Sequence, residues 1–190
     1  MTKLPLSWFE GTNVVEIARL LIGKIIRTDF DGKLTSGRIS ETEAYAGVSD
    51  KASHAFGGRR TARTETMYAN GGTAYVYLCY GIHHLFNIVT NVKDVPHAVL
   101  IRGILPLEGE EQIRQRLNKP NPIPSGKLAT GPGLVSKALG ISTLHTGILL
   151  ENTITIWEDG FHPERIEITP RIGIDYAKED KDLPYRFLLV

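Results

Sequence analysis

From Thr73 to Thr90 the chain reads TAYVYLCYGIHHLFNIVT. Aromatic and β-branched residues fill both halves, and Tyr80-Gly81 interrupts them in the middle. This pattern predicts two strands that double back through a tight turn, a β-hairpin. Side chains alternate along a strand, so Tyr75 and Tyr77 share a face. Tyr75 is expected to pack across the strands. Gly81 places the bulky ring of Tyr80 at the hairpin tip.

Other strands flank this hairpin. Upstream, KIIRT and then GRISETEAY (Gly37–Tyr45) read as strands, the second placing Ile39, Glu41, Glu43 and Tyr45 on one face. Between Ala46 and Gly72 lies a connection of more than twenty residues, AGVSDKASHAFGGRRTARTETMYANGG, a length associated with functional loops. Downstream, HAVLIRGIL reads as a strand and PLEGEEQIRQRL as a helix, acidic at its start and basic at its end. NKPNPIPSGKLATG reads as a loop, and TGPGLVSKALG as a short helix with Thr130 near its cap, Pro132 in its first turn and Gly140 after its end. GILLENTITIWED and RIEITPRIGID supply further strands. TNVVEIARLLI (Thr12–Ile22) carries Val14, Ile17, Ala18 and Leu21 at helical spacing, with Thr12 or Asn13 as cap and Gly23 as stop. Hairpin-like strands without regular strand–helix alternation point to an α+β fold with a largely antiparallel sheet.

At 190 residues the chain is expected to form one domain and to bury roughly 70% of its unfolded surface. Its 42% hydrophobic and 23% charged residues are ordinary for a globular protein. A formal net charge of +1 argues against broad polyanion binding and leaves room for a local basic patch. The lone cysteine, Cys79, excludes an internal disulfide and a thiolate zinc or iron–sulfur site. Together with the absence of a secretory start and of any run near ~18 apolar residues, it sets the expectation of a cytoplasmic protein with no membrane partner.

Glu41 and Glu43 lie at i and i+2 on one strand, with backbones ~7 Å apart, in the range of an inverting glycosidase pair. They could equally be two solvated acids on an exposed strand face. Tyr45, Tyr75, Tyr77 and Tyr80 bracket the long loop, which contains His54, and such a cluster suits a flat or cationic heterocycle. An apolar wedge at a hairpin tip, where Tyr80 falls, is a device for unstacking a base step. Arg59, Arg60 and Arg63 suit phosphate contacts or a solvated face. The six histidines make no metal-binding pattern, His83 and His84 point to opposite faces, and no phosphate loop, nucleophile elbow or dinucleotide fingerprint occurs. A carboxylate site without a cofactor is the chemistry left.

In this order, ETEAY, SHAFGGRRTART, GGTAYVYLCYGIHHLFN, VLIRGILPLEG, TGPG and PRIGI…PYRFL resemble the alkyladenine (3-methyladenine) DNA glycosylase family, from about Gly11 to the C-terminus. The resemblance implies a single domain over residues 1–190, α+β, with a largely antiparallel curved β-sheet, surrounding helices and a protruding β-hairpin. It also implies base excision from duplex DNA containing damaged purines, by a monomer without a cofactor, leaving an abasic site uncleaved. Carried over, Glu43 matches the acid that activates water, and Arg102 a group beside it. Tyr45, His54 and Tyr77 match the groups that hold the flipped base, and Asn87 the one that rejects guanine's exocyclic amine. Tyr80 matches the residue inserted into the duplex, with Ile82 beside it at the tip, and Arg59 and Thr61 match backbone contacts. Glu41 then becomes structural. Two rivals make different demands. An O-glycosidase needs both acids and a sugar substrate, whereas a non-catalytic damage-recognition module binds without turnover.

Overall fold

The computed structural model describes residues 1–119 and 123–190. In chain order these form strand β1 (Thr2–Lys3), helix α1 (Val14–Leu21), strands β2 (Ile25–Phe30), β3 (Lys33–Tyr45), β4 (Ala74–Cys79), β5 (His83–Thr90) and β6 (His97–Glu108), helix α2 (Glu110–Leu117), strand β7 (Ala129–Thr130), helix α3 (Pro132–Leu139), and strands β8 (Ile154–Glu158), β9 (Ile166–Thr169) and β10 (Arg186–Leu189). Every pairing is antiparallel. The open sheet runs β1-β8-β2-β3-β6-β5-β4, with β10 carrying β9 alongside β3 and β7 alongside β6. The fold is therefore α+β with a large antiparallel sheet, as the hairpin pattern predicts. The 73–90 segment forms the β4–β5 hairpin.

The long pair β3 and β6 is the spine. One of its faces is apolar: Ala44, Val99, Ile101 and Ile104 join Phe86 and Ile88 of β5 in the main core. That face is covered by α1, through Val14, Ile17, Ala18 and Leu21, and by α3, through Val135, Ala138 and Leu139. Each valine, isoleucine or leucine among these, fully buried, stabilises the fold by about 1.5–3 kcal/mol. Asn13 caps α1, its Oδ1 accepting from Val15 and Glu16 N–H at 3.1 Å. Thr42 Oγ1 donates to Ala18 O at 2.8 Å, fixing β3 against α1.

Two local expectations are corrected, and one strand is added. Ile39 does not share a face with Glu41, Glu43 and Tyr45. The β3–β6 register shifts between Ile39 and Glu41 and again between Glu41 and Thr42, and such a bulge reverses the alternation. Ile39 consequently packs in the same core as Ala44, while the acids turn to the opposite face. Pro106-Leu107-Glu108 continues β6 rather than opening α2. Pro106 pairs with Gly37 beyond the end of β7, where β6 has one neighbour only and a missing N–H costs little. Helix α2 starts after Gly109, whose φ of 67° breaks the strand. Finally, RFLL forms β10 beside β3, a strand too short to announce itself. Part of the proposed 118–131 loop, residues 120–122, lies outside the described residues; a single helical turn (Ser125–Lys127) and β7 follow.

Candidate active site

Cross-strand pairing assembles the second face of the sheet. Tyr75 lies opposite Asn87, Asn87 opposite Leu100, Leu100 opposite Glu43, and Glu43 opposite Arg186. Directly paired residues project to the same side, so one row across β4, β5, β6, β3 and β10 brings Tyr75, Asn87 and Glu43 together. The 46–72 connection and the segment around 171–185 close over this row. They are joined by Arg171, which binds Asp50 through both terminal nitrogens (2.5 and 2.9 Å) and also donates to Ala44 O at 2.8 Å. The Arg171–Asp50 pair is fully buried, and the guanidinium lies over the Tyr45 ring at 4.9 Å.

A small cavity results, lined by Tyr45, Ala52, His54, Met67, Tyr75, Tyr77, Asn87, Ala98 and Tyr176. The His54 and Tyr77 rings meet edge to face at 4.6 Å, and Tyr75 and Tyr77 lie 5.6 Å apart. His54 Nδ1 is 2.9 Å from the Tyr75 hydroxyl. Burial, with Arg63 and Arg59 nearby, lowers the His54 pKa from 6.5 to about 4, so the ring is neutral at pH 7. Asn87 donates to the carbonyls of Tyr75 and Leu85, both at 3.2 Å. Those bonds use its two donors, so the amide can offer only its oxygen, an acceptor, to anything further.

Glu43 lies behind the Tyr45 wall with its side chain fully buried. Its Oε2 accepts from the Tyr45 hydroxyl at 2.8 Å and its Oε1 from Ile172 N–H at 2.8 Å, with Arg102 Nε 3.4 Å away. Burial raises the Glu43 pKa; Arg102, the Ile172 N–H and the Tyr45 hydroxyl pull it down, and Glu41 adds a small upward push. Burial and the Glu43 charge hold the Tyr45 hydroxyl well above its ordinary pKa. Glu41 is differently placed. Its Oε1 accepts from Arg102 Nε at 2.9 Å and Arg186 Nε at 2.6 Å. Pinned between two guanidiniums, it is not a second acid facing a substrate.

The cavity opens into a cleft of about 580 Å³ that runs past Arg63, Arg102 and the start of α3 to Tyr80. Tyr80 is 91% exposed with a φ of 50°, and Ile82 is 71% exposed. The β4–β5 hairpin thus projects an aromatic ring on a backbone conformation that costs a non-glycine residue about 1 kcal/mol or more. The structure brings Glu43, Arg102, Tyr45, His54, Tyr77 and Asn87 into one site. Tyr80 stands at the far end of the cleft, while Ile82 borders a separate groove beside His84 and Lys137. Arg59 and Thr61 are exposed on the long loop outside the cavity lining. Thr61 is engaged with Thr64, its N–H donating to Thr64 Oγ1 at 2.9 Å. Arg60 is tied to Glu65 and Asp94, whereas Arg63 lies over the Tyr77 ring at 5.2 Å. Tyr75 packs in a buried cluster as expected and also lines the cavity.

Sequence reading missed Tyr176, Met67, Ile172, Arg171 and Arg186. Ile172 acts through its backbone N–H, which no residue type signals. Arg171 and Asp50 are 121 positions apart, and nothing local marks them as partners. Tyr176 is 64% exposed and borders both cavity and cleft; its hydroxyl donates to Ala52 O at 3.1 Å. The nearest signal is that it closely follows the PRIGI motif.

A buried carboxylate beside a neutral, aromatic-walled cavity, with an exposed wedge along the same cleft, is an arrangement shared with enzymes that act on an extruded base. Comparison with known proteins gives the class. The sequence model described as Methylpurine-DNA glycosylase (MPG) matches residues 7–190, and the chain belongs to that family of DNA-repair hydrolases acting on N-glycosyl bonds. Among curated proteins it is 47% identical over 195 residues to a Chlamydia felis protein named "Putative 3-methyladenine DNA glycosylase", covering 98% of this chain and 95% of that one. A protein of the same name from Chlamydia abortus is 48% identical over 98% of this chain and 97% of its own. One from Clostridium perfringens (strain SM101 / Type A) is 40% identical over 95% and 93%. Among the described residues, no helix is long and apolar enough to cross a membrane.

Proposed function

We propose that the protein is a monofunctional glycosylase of base excision repair. It flips an alkylated or deaminated purine out of duplex DNA and hydrolyses its N-glycosidic bond with a water activated by Glu43, leaving an abasic site. The observation that carries this is the double use of Tyr45, whose ring walls the aromatic cavity while its hydroxyl donates to Glu43. A base held on that ring has its sugar next to the carboxylate.

An ionised carboxylate offers about four lone-pair positions. The Tyr45 hydroxyl and the Ile172 N–H take two, Arg102 Nε stands 3.4 Å away with its N–H on Glu41, and a remaining position would receive the water. The upward push on the Glu43 pKa strengthens it as a general base. Its negative charge also opposes the positive charge that builds on the sugar in an oxocarbenium-like transition state. Arg102 orients the carboxylate and the water. Tyr45, Tyr77 and a neutral His54 receive a purine whose own positive charge has weakened its glycosidic bond, and Asn87 stands where guanine's exocyclic amine would fall. Tyr80, with Ile82, fills the gap in the stack, while Arg59 and Thr61 meet backbone phosphates. Binding should therefore weaken with salt. Among the described residues no lysine lines the cavity or the cleft, which is compatible with base removal without a Schiff base or strand cleavage. In this reading residues 1–190 act as one monomeric unit at the cytoplasmic nucleoid, without a cofactor.

The test is release of free base, without added metal, from duplexes carrying one hypoxanthine or ethenoadenine and from methylated DNA. Release by the wild type that collapses in Glu43→Gln supports the reading. Binding without release by the wild type would make the chain a recognition module instead. The O-glycosidase alternative is disfavoured by the two arginines that hold Glu41.

A further inference from the structure

The second acid of the ETEAY motif has no part in the mechanism above, yet it is wired to the first. Four charged groups alternate across three strands: Arg186 on β10, Glu41 on β3, Arg102 on β6 and Glu43 on β3. Glu41 Oε1 accepts from Arg186 Nε (2.6 Å) and Arg102 Nε (2.9 Å), and the same Arg102 Nε is 3.4 Å from Glu43 Oε1. Arg186, Glu41 and Arg102 are each under a fifth exposed, so solvent screens them only in part. Arg102 has one Nε–H to share between two carboxylates, and it lies closer to Glu41. How firmly Glu41 holds it depends on how far Arg186 neutralises Glu41.

We propose that Glu41 and Arg186 are positioning residues for base excision: Glu41 holds the Arg102 guanidinium between itself and Glu43, and Arg186 sets how strongly Glu41 pulls. The inference rests on the glycosylase reading and on Glu43 as its base. The groups facing Glu43 are Glu41 and the Tyr45 hydroxyl from β3, Arg102 from β6, Arg186 opposite it on β10, and Arg171 (neutralised by Asp50), the Ile172 N–H and Tyr176 from the 171–176 segment. Of these, only Arg102 is divided between two acids.

The two residues therefore act with opposite sign. Without the Arg186 charge, Glu41 draws Arg102 away from Glu43 and repels a second negative charge, so Glu43 is harder to ionise. Without the Glu41 charge, Arg102 settles on Glu43, which ionises more readily. Swapping both for neutral residues cancels much of the change.

The experiment is the pH dependence of single-turnover release of 3-methyladenine from methylated duplex DNA. This base is already cationic in the duplex and departs neutral, taking the bond's electron pair with no added proton, so the acidic limb belongs to the general base. For Arg186→Gln the limb should move to higher pH by about half to one unit, and for Glu41→Gln to lower pH by a similar amount. The double variant should return close to wild type, and Arg186→Lys, which keeps the charge, should leave the limb where it was. Thermal melts report whether each variant folds. If Arg186→Gln does not fold, the direction of the Glu41→Gln shift decides alone. Limbs that stay put, or move the same way, overturn the proposal whatever the loss in rate. A wild type that releases no base at any pH overturns the enzymatic reading, and the inference with it.

Discussion

The Tyr45 hydroxyl lies 2.8 Å from Glu43 Oε2, two residues back along the same strand, and the Tyr45 ring forms a wall of the cavity. One side chain thus joins the binding surface to the buried acid, and the two roles can be separated. Tyr45→Phe keeps the ring and removes a donor to the ionised carboxylate, worth about 1.5–3 kcal/mol. The acidic limb of the rate profile should rise by roughly one to two pH units, with affinity for damaged duplex little changed. Equal losses of affinity and rate, with the limb unmoved, would show that the hydroxyl does not act through Glu43.

Glu43→Gln should lower base release by at least about 10²-fold, the low end for a general base. It should also change the response of stability to pH. A carboxyl raised above its ordinary 4.5 binds its proton more tightly folded than unfolded. The resulting stability is fully present below pH 4.5 and is lost as pH rises through the folded value. Urea midpoints of the wild type should carry that decline, and those of Glu43→Gln should not.

His54 has the opposite sign. With its pKa lowered from 6.5 to about 4, the folded chain binds fewer protons than the unfolded one across that window. Stability is full above pH 6.5 and falls as the pH drops towards about 4. His54→Gln should flatten this acid-side loss, as read by denaturant midpoints at neutral pH and at about pH 5. A wild-type slope that survives the substitution would assign the acid sensitivity to other groups.

Tyr80 contributes no burial and holds a φ of 50°. Tyr80→Gly should therefore leave the melting temperature unchanged or raise it, by up to about 1 kcal/mol of stability. Base release from duplex should drop well below that from a single strand carrying the same lesion. An equal effect on both substrates would argue against a wedge.

Breaking the buried pair by Arg171→Met leaves Asp50 without its counter-charge, held only by the Ala46 and Ala52 N–H groups, at a cost of about 3–5 kcal/mol. It also removes the cation behind Tyr45. Melting of Arg171→Met, Asp50→Asn and the double variant gives the coupling, and a coupling near zero would contradict the pairing.

The sequence made the hairpin readable, because TAYVYLCYG and HHLFNIVT alternate and the tip carries its own turn signal. It also exposed the ETEAY acids, since carboxylates between apolar neighbours are costly in either a core or a plain surface. It hid what depends on register. The bulge between Ile39 and Glu41 carries no distinctive residue, yet it turns the acids from the core face to the cleft face. Glu41 and Glu43 look equivalent in one dimension; the arginines that distinguish them come from positions 102 and 186. Ile172 contributes a backbone amide, invisible to any reading of side chains.

The row Tyr75–Asn87–Leu100–Glu43–Arg186 draws its members from five strands spread over more than half the chain. No fragment holds a working subset, because each contact awaits partners distant in sequence, and such pairings form late and together. Activity is thus a readout of the finished sheet. A chain in which β10 has not yet paired with β3 would carry Glu43 and the aromatics without Arg186 set opposite the acid.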